Sequence, residues 1–207
     1  MSDAILKRTI LDAALMGAAT EGFTAKLLSD AAADAGAGDA IGRLFPDGVA
    51  SLLAFYSHVV DDEMVRRLEP LNLKQLPIRQ RIRSAVETRL SILQPHKDAA
   101  RHAALALALP ANGPLAARLV YDTVDAMWRA AGDVSTDFAF YTKRASLSAV
   151  YTTTLMRWFA DASADKHETM AFLDARIENV MQYEKLKARV RDGAKAGCDH
   201  LADLLRR

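Results

Sequence analysis

An all-helical fold is predicted by three features of this 207-residue chain. The composition is 51% hydrophobic but only 7% aromatic, rich in Ala and Leu and poor in β-branched runs, which favours helix over strand. Apolar residues recur at steps of three and four through most of the chain. Most Gly and Pro residues fall between these periodic segments, where helices start and stop. The length fits one domain or a two-lobed one.

Taken in order, residues 2–21 predict a first helix with Ile5, Thr9, Ala13 and Met16 on one face, stopped by Gly22. Thr24 can cap a second helix over 25–35, closed by Gly36, and a short third fits between Gly38 and Pro46. Asp47 is placed to cap a long fourth helix from Gly48 to about residue 69, with Leu52, Phe55, Val59, Val60 and Met64 apolar. Pro77 starts a fifth helix up to Gln94, and Pro95 a sixth through Leu109. Ala104, Leu105, Leu107, Ala108 and Leu109 make that sixth helix apolar nearly all round, as in a buried core helix. Pro114 begins a seventh, with Leu115, Leu119, Val120, Val124, Met127 and Trp128 on a broad inner face, ended by Gly132.

Ser135, Thr136 and Asp137 offer three short polar caps for an eighth helix. It then runs roughly 25 residues without Gly or Pro, which is long for a globular protein. Two apolar stripes run along it: Phe138, Tyr141, Ala145, Ala149, Thr152, Met156 and Phe159 on one face, and Phe140, Leu147, Tyr151, Leu155 and Trp158 on another. A helix apolar on two faces has to bury both, so one face serves the core and the other a ligand or partner. Ser163 or Asp165 caps a ninth helix with the stripe Met170, Leu173, Ile177, Val180 and Met181.

The tail from Lys185 changes character. Leu186, Val190, Ala194, Gly197, Leu201, Leu204 and Leu205 share a helical stripe, and seven bases, Lys187, Arg189 and Arg191 among them, face three acids. A basic amphipathic helix of this kind suits a membrane surface, and packing on its own domain is the competing reading. The expected divisions are therefore 1–46, 47–184 and 185–207.

The first three helices, with a Gly-containing turn, resemble a helix-turn-helix lobe, and Ala31-Ala32-Ala33-Asp34-Ala35-Gly36 is similar to the turn of the tetracycline-repressor (TetR) family. Charge speaks against DNA as its partner. Residues 1–64 hold four bases against ten acids, and the segment Gly38–Phe45 offers one Arg beside Asp39, whereas phosphate contacts need cations. No nucleic-acid partner is expected. A ligand-responsive TetR-type repressor stands as the alternative function.

The stretch Ser135-Thr136-Asp137-Phe138-Ala139-Phe140-Tyr141-Thr142-Lys143-Arg144, with Leu147, Val150, Tyr151 and Thr154 after it, closely resembles the central motif of the coenzyme Q (ubiquinone) biosynthesis accessory protein family. That resemblance implies a TetR-like fold whose last two helices form a homodimer. It also implies a larger helical bundle holding an isoprenoid quinone intermediate, which is presented at the membrane to the demethoxyubiquinone hydroxylase. The inner-face residues expected on the lipid are Leu105, Leu119, Val124, Trp128, Tyr151 and Leu155, with Trp128 and Trp158 also readable as plain core. Carried over by position, Asp137, Phe140, Tyr141, Arg144 and Leu147 would face the partner. Phe140 stands where the family has Trp, which keeps an aromatic anchor and removes the indole N–H. For Lys143 and Arg144 the bland reading is side chains that snorkel to the surface. The sharper one makes Arg144 an anchor at the mouth of the site.

Catalytic patterns are missing: there is no Gly-rich phosphate loop and no Gly-x-Ser-x-Gly. No enzyme activity, cofactor or metal is expected. The nearest metal pattern is His58 with Asp61, Asp62 and Glu63, which reads better as a solvated patch. Residues 66–101 carry nine bases and three acids, readable as a solvated face or as a contact for acidic partners or lipid headgroups. The single Cys198 fits a reducing compartment. The N-terminus resembles neither a signal nor a transit peptide, which points to a mature organellar form or a bacterial protein. The expected location is the bacterial cytoplasm, peripheral on the inner membrane.

Overall fold

The computed structural model describes residues 2–183 except Asp137 and Ala164, and every regular element among them is helical. The helices are α1 Asp3–Glu21, α2 Ala25–Asp34, α3 Ile41–Leu44, α4 Val49–Leu68, α5 Ile78–Leu93, α6 Lys97–Leu107, α7 Gly113–Ala130, α8 Phe138–Ala160 and α9 over residues 167–183. The chain therefore has the all-α architecture expected of it. The tail residues Lys185, Lys187, Arg189, Arg191, Leu201, Leu204 and Leu205, and the motif residue Asp137, lie outside the described residues.

Local chemistry sets the boundaries. The Ser2 and Thr24 hydroxyls accept the Ile5 and Leu27 N–H groups, satisfying donors that a helix start leaves free. Gly22 follows α1 at φ 70° and turns the chain back, a conformation that costs glycine least. The start of α4 differs from expectation. Gly48, at φ 58°, takes the cap position, while Asp47 acts from one residue earlier: its N–H donates to Ser51 Oγ at 3.0 Å and its carboxylate accepts the Ser51 hydroxyl at 3.2 Å.

In the N-terminal lobe, α1 packs on α2 through Leu11, Leu15, Leu27 and Leu28, and on α6 across the lobe boundary. His102 Nδ1 lies 2.6 Å from the Ala18 carbonyl and fixes that joint. In the larger bundle α4 packs between α5 and α7, with α8 against α7. Leu52, Val60, Met64, Val86, Leu90, Val124, Met127, Trp158 and Leu173 make its core. Trp158 is fully buried and donates Nε1–H to Gln94 Oε1 at 3.1 Å.

One carboxylate ties α8 to α9. Asp161 accepts the Thr169 N–H at 2.9 Å, the Thr169 hydroxyl at 2.6 Å and the Ser163 N–H at 2.9 Å. The Ser163 and Thr169 hydroxyls hold its carboxyl well below the usual range. Asp161 thus joins the expected Asp165, which accepts the His167 N–H at 3.2 Å, in closing the start of α9.

Helix α6 departs from its reading as a buried helix. It stops at Leu107 and buries only the Ala99, Ala100 and Ala103 side, leaving Leu105 60% and Leu109 57% exposed. Leu105 follows Ala104 by one position, a rotation of about 100°, which turns it off the face carrying Ala100, Ala103, Ala104 and Leu107.

Candidate functional site

Two hollows open in the larger bundle. The first, of about 230 Å³, lies among α4, α5, α6, α7 and α8. Leu53, Val60, Leu93, Ala103, Leu107, Leu119, Val120, Leu155, Met156 and Phe159 give it a mostly apolar wall. Small residues on the facing helices, Ala100, Ala103 and Ala104 on α6 and Ala116 on α7, leave room between the larger side chains of the wall.

Its wall carries one polar cluster. Arg89, buried on α5, donates Nε–H to Asp61 Oδ1 at 2.7 Å and Nη2–H to Ser57 Oγ at 3.1 Å, and Nη1–H to the Tyr151 hydroxyl. Thr123 donates to the other Asp61 oxygen at 2.9 Å. Burial alone would pull the Arg89 pKa down, but the Tyr151 oxygen and the Asp61 carboxylate outweigh it and hold the guanidinium above its ordinary range. Burial pushes the Tyr56 phenol up to about 12 and the Tyr151 phenol upward as well, so both keep their protons at neutral pH.

The second hollow, about 620 Å³, lies between α5, the end of α7, the 131–135 turn, α8 and α9. Ile78, Ile82, Leu147, Val150, Ile177, Val180 and Met181 supply its apolar wall, and Trp128 closes one side. The Trp128 indole donates to the Lys143 carbonyl at 3.1 Å, and Lys143 Nζ sits 5.5 Å from the Trp128 ring centroid.

The motif at the start of α8 is held by charge. Asp133 accepts from Lys143 Nζ at 2.6 Å, from Arg144 Nη1 at 3.1 Å and from the Ser135 hydroxyl at 2.8 Å. Burial pushes the Asp133 carboxyl up, yet these bonds prevail and hold it at about 2. Arg144 also pairs with Asp125 at 2.6 Å. Phe140 is half-buried and packs edge-on against Tyr141, which is 65% exposed.

These positions sort the residues singled out in the sequence. Leu119, Tyr151 and Leu155 line the first hollow, whereas Trp128 and Leu147 line the second. Val124 is buried in the core and borders neither hollow. Leu105 is outside both, which corrects its placement on a ligand. Arg144 is corrected too: with a side chain only 3% exposed it neither snorkels nor stands at a mouth, but binds two carboxylates inside the chain. Buried Leu147 offers no face to a partner, leaving Phe140 and Tyr141 as the outward part of the motif.

The Arg-rich segment also divides. Arg81 donates to the Lys74, Leu76 and Ala131 carbonyls at 2.7–2.9 Å, Arg83 pairs with Glu87 and Asp174, and Arg89 turns inward. The His58 patch disperses as well. His58 faces Asp122 at 3.4 Å, Asp61 points to Arg89, and Glu63 pairs with Arg66 and Arg67. Among the described residues no group of three His, Cys, Asp or Glu converges on a metal position. No single helix among them is long and apolar enough to cross a membrane.

The architecture, a small three-helix lobe on a hollow helical bundle, is that of the TetR-like fold. A crystal structure of the TetR transcriptional regulator from Nitrosomonas europaea superposes with a TM-score of 0.67 at 20% identity, covering 84% of this chain and 97% of that one. Within that fold class the chain is similar to the COQ9 family, whose sequence model matches residues 113–184. It is 34% identical over 202 residues to the human protein named "Ubiquinone biosynthesis protein COQ9, mitochondrial", covering 94% of this chain. The rat protein of the same name is 34% identical over 203 residues, and the Dictyostelium discoideum "Probable ubiquinone biosynthesis protein coq9, mitochondrial" 28% over 189. The chain spans 64% of the human protein's own length. These relatives are named as mitochondrial proteins of eukaryotes, which overturns the expected bacterial cytoplasmic location.

Proposed function

We propose that this chain serves ubiquinone biosynthesis as a non-catalytic carrier, binding an isoprenoid quinone intermediate in its larger bundle and presenting it to the demethoxyubiquinone hydroxylase. The observation that carries this reading is the mostly apolar hollow of about 230 Å³ among α4–α8 in a chain similar to the COQ9 family. A water-filled space would gain little from such a wall, whereas an apolar chain entering it is released from water at roughly 25 cal/mol per Å². Phe140 and Tyr141 form the outward patch for the hydroxylase, α8 and α9 the face for a second copy of the chain, and the basic tail the contact with the membrane.

The repressor alternative is the weaker one. Arg43, the one base of the segment that would read DNA, is paired with Asp3 in its own lobe. Extraction of purified protein followed by mass spectrometry tests the carrier reading. A quinone or polyprenyl species recovered in proportion to protein is the expected result. Protein that stays free of lipid when isolated from quinone-producing cells would overturn it.

A further inference from the structure

The polar cluster in the first hollow has more donors than acceptors. A guanidinium carries five N–H groups. Arg89 gives one to Asp61, one to Tyr151 and one to Ser57. One hydrogen on each of its terminal nitrogens therefore has no acceptor among the described residues. Tyr151 and Ser57 act as acceptors in those bonds, so their own hydroxyl hydrogens are also unspent. Tyr56, buried on the same wall, makes no hydrogen bond among the described residues. Asp61, the one carboxylate in the cluster, is engaged by both Arg89 and Thr123. Buried donors without acceptors are costly, and here they border an open space.

Charge narrows what can answer them. Arg89 and Asp61 neutralise each other at 2.7 Å. A carboxylate or phosphate brought into the hollow would leave one uncompensated negative charge among apolar side chains, which is expensive. An uncharged oxygen acceptor satisfies the donors without that penalty. The bonds between Arg89 and its neighbours also fix the spare donors in place, so no rearrangement is needed to meet a ligand.

We propose that Arg89, Tyr151, Ser57 and Tyr56 form a head-group subsite that recognises an uncharged, oxygen-bearing head such as a ring carbonyl, with the apolar wall taking the rest of the molecule. This rests on the reading of the hollow as an apolar-ligand site and adds which end of the ligand enters and what chemistry it carries. The hollow exceeds the volume of about 150 Å³ that suffices for benzene, so single-ring probes fit it.

The test is a titration of the full chain with acetophenone, ethylbenzene and benzoate, following the methyl NMR signals of Leu119, Val120 and Leu155. The three probes share a ring and differ in the head. Acetophenone is expected to bind about tenfold tighter than ethylbenzene, as one or two hydrogen bonds to a charged donor set allow, and benzoate weakest. Tyr151→Phe and, independently, Ser57→Ala are expected to shrink the ketone's advantage while ethylbenzene affinity holds, each variant first checked for an unchanged fold by circular dichroism. Equal binding of acetophenone and ethylbenzene would overturn the subsite and leave the apolar hollow standing. Benzoate binding tightest would overturn the uncharged head. Failure of all three probes to shift the methyls would instead overturn the apolar-ligand reading beneath it.

Discussion

Arg144 and Phe140, one turn apart on α8, lie with the guanidinium carbon 3.4 Å from the ring centroid while the same side chain bonds Asp125 and Asp133. The aromatic at 140 therefore acts inside the chain as well as at its surface. Trp is the best cation–π acceptor, so Phe140→Trp is expected to raise stability by about 0.5–1 kcal/mol. Phe140→Ala should lower it by at least as much. Paired thermal melts check both signs.

Tyr141 offers the cleaner surface test. It is exposed, so Tyr141→Ala should change stability by no more than about 0.5 kcal/mol. If the motif is the partner face, the same variant loses hydroxylase binding in a pull-down. An unchanged pull-down with an unchanged melt would move the docking surface elsewhere.

Removing one half of the buried ion pair should be severe. Arg89→Met strands Asp61 without its cation and is expected to cost about 3–5 kcal/mol in urea denaturation. Adding Asp61→Leu should return most of that loss, because the desolvated charge then disappears with its partner. A double variant no more stable than the single one would contradict this account.

Acid stability should report on the start of α8. The Asp133 carboxyl sits at about 2 in the folded chain, below the ordinary value of about 3.9. A depressed folded value adds stability that is full above the unfolded pKa and is lost as pH falls through the folded one. Stability should therefore drop between about pH 4 and pH 2, and Asp133→Asn should remove part of that slope. Denaturant midpoints across this range decide it.

Filling the first hollow separates carrying from folding. Leu155→Trp places a larger side chain in open space, so the melt should hold while co-purified lipid falls. Leu105→Ser, on the exposed side of α6, should leave both unchanged.

Much of the fold was legible because its signals are local. Gly22, Gly36, Pro77, Pro114 and Gly132 stand at helix ends, and the three-and-four spacing names the inner faces. What was not legible depends on distance along the chain. Arg89 sits in a run of arginines that reads as a solvated face, and nothing near it announces Asp61, 28 positions earlier. Arg144 likewise depends on Asp125 and Asp133, contributed by α7 and the following turn. Leu105 misled because a run of small apolar residues hides which side of a helix faces inward. The signal that could have found the polar cluster is the lone Asp61 on the otherwise apolar side of α4, beside Val60 and Met64.

Asp161 sits like the pivot of a pair of compasses, gripping the close of one long helix and the opening of the next. The walls of the larger cavity stand out along both legs, at Leu147 and Val150 on one and Ile177 to Met181 on the other. At 1.5 Å per residue those points are roughly 15–20 Å from the pivot, so a tilt of about 5° there shifts them by about 1.5 Å. The gauge of that cavity is thus set by four hydrogen bonds far from anything it would hold.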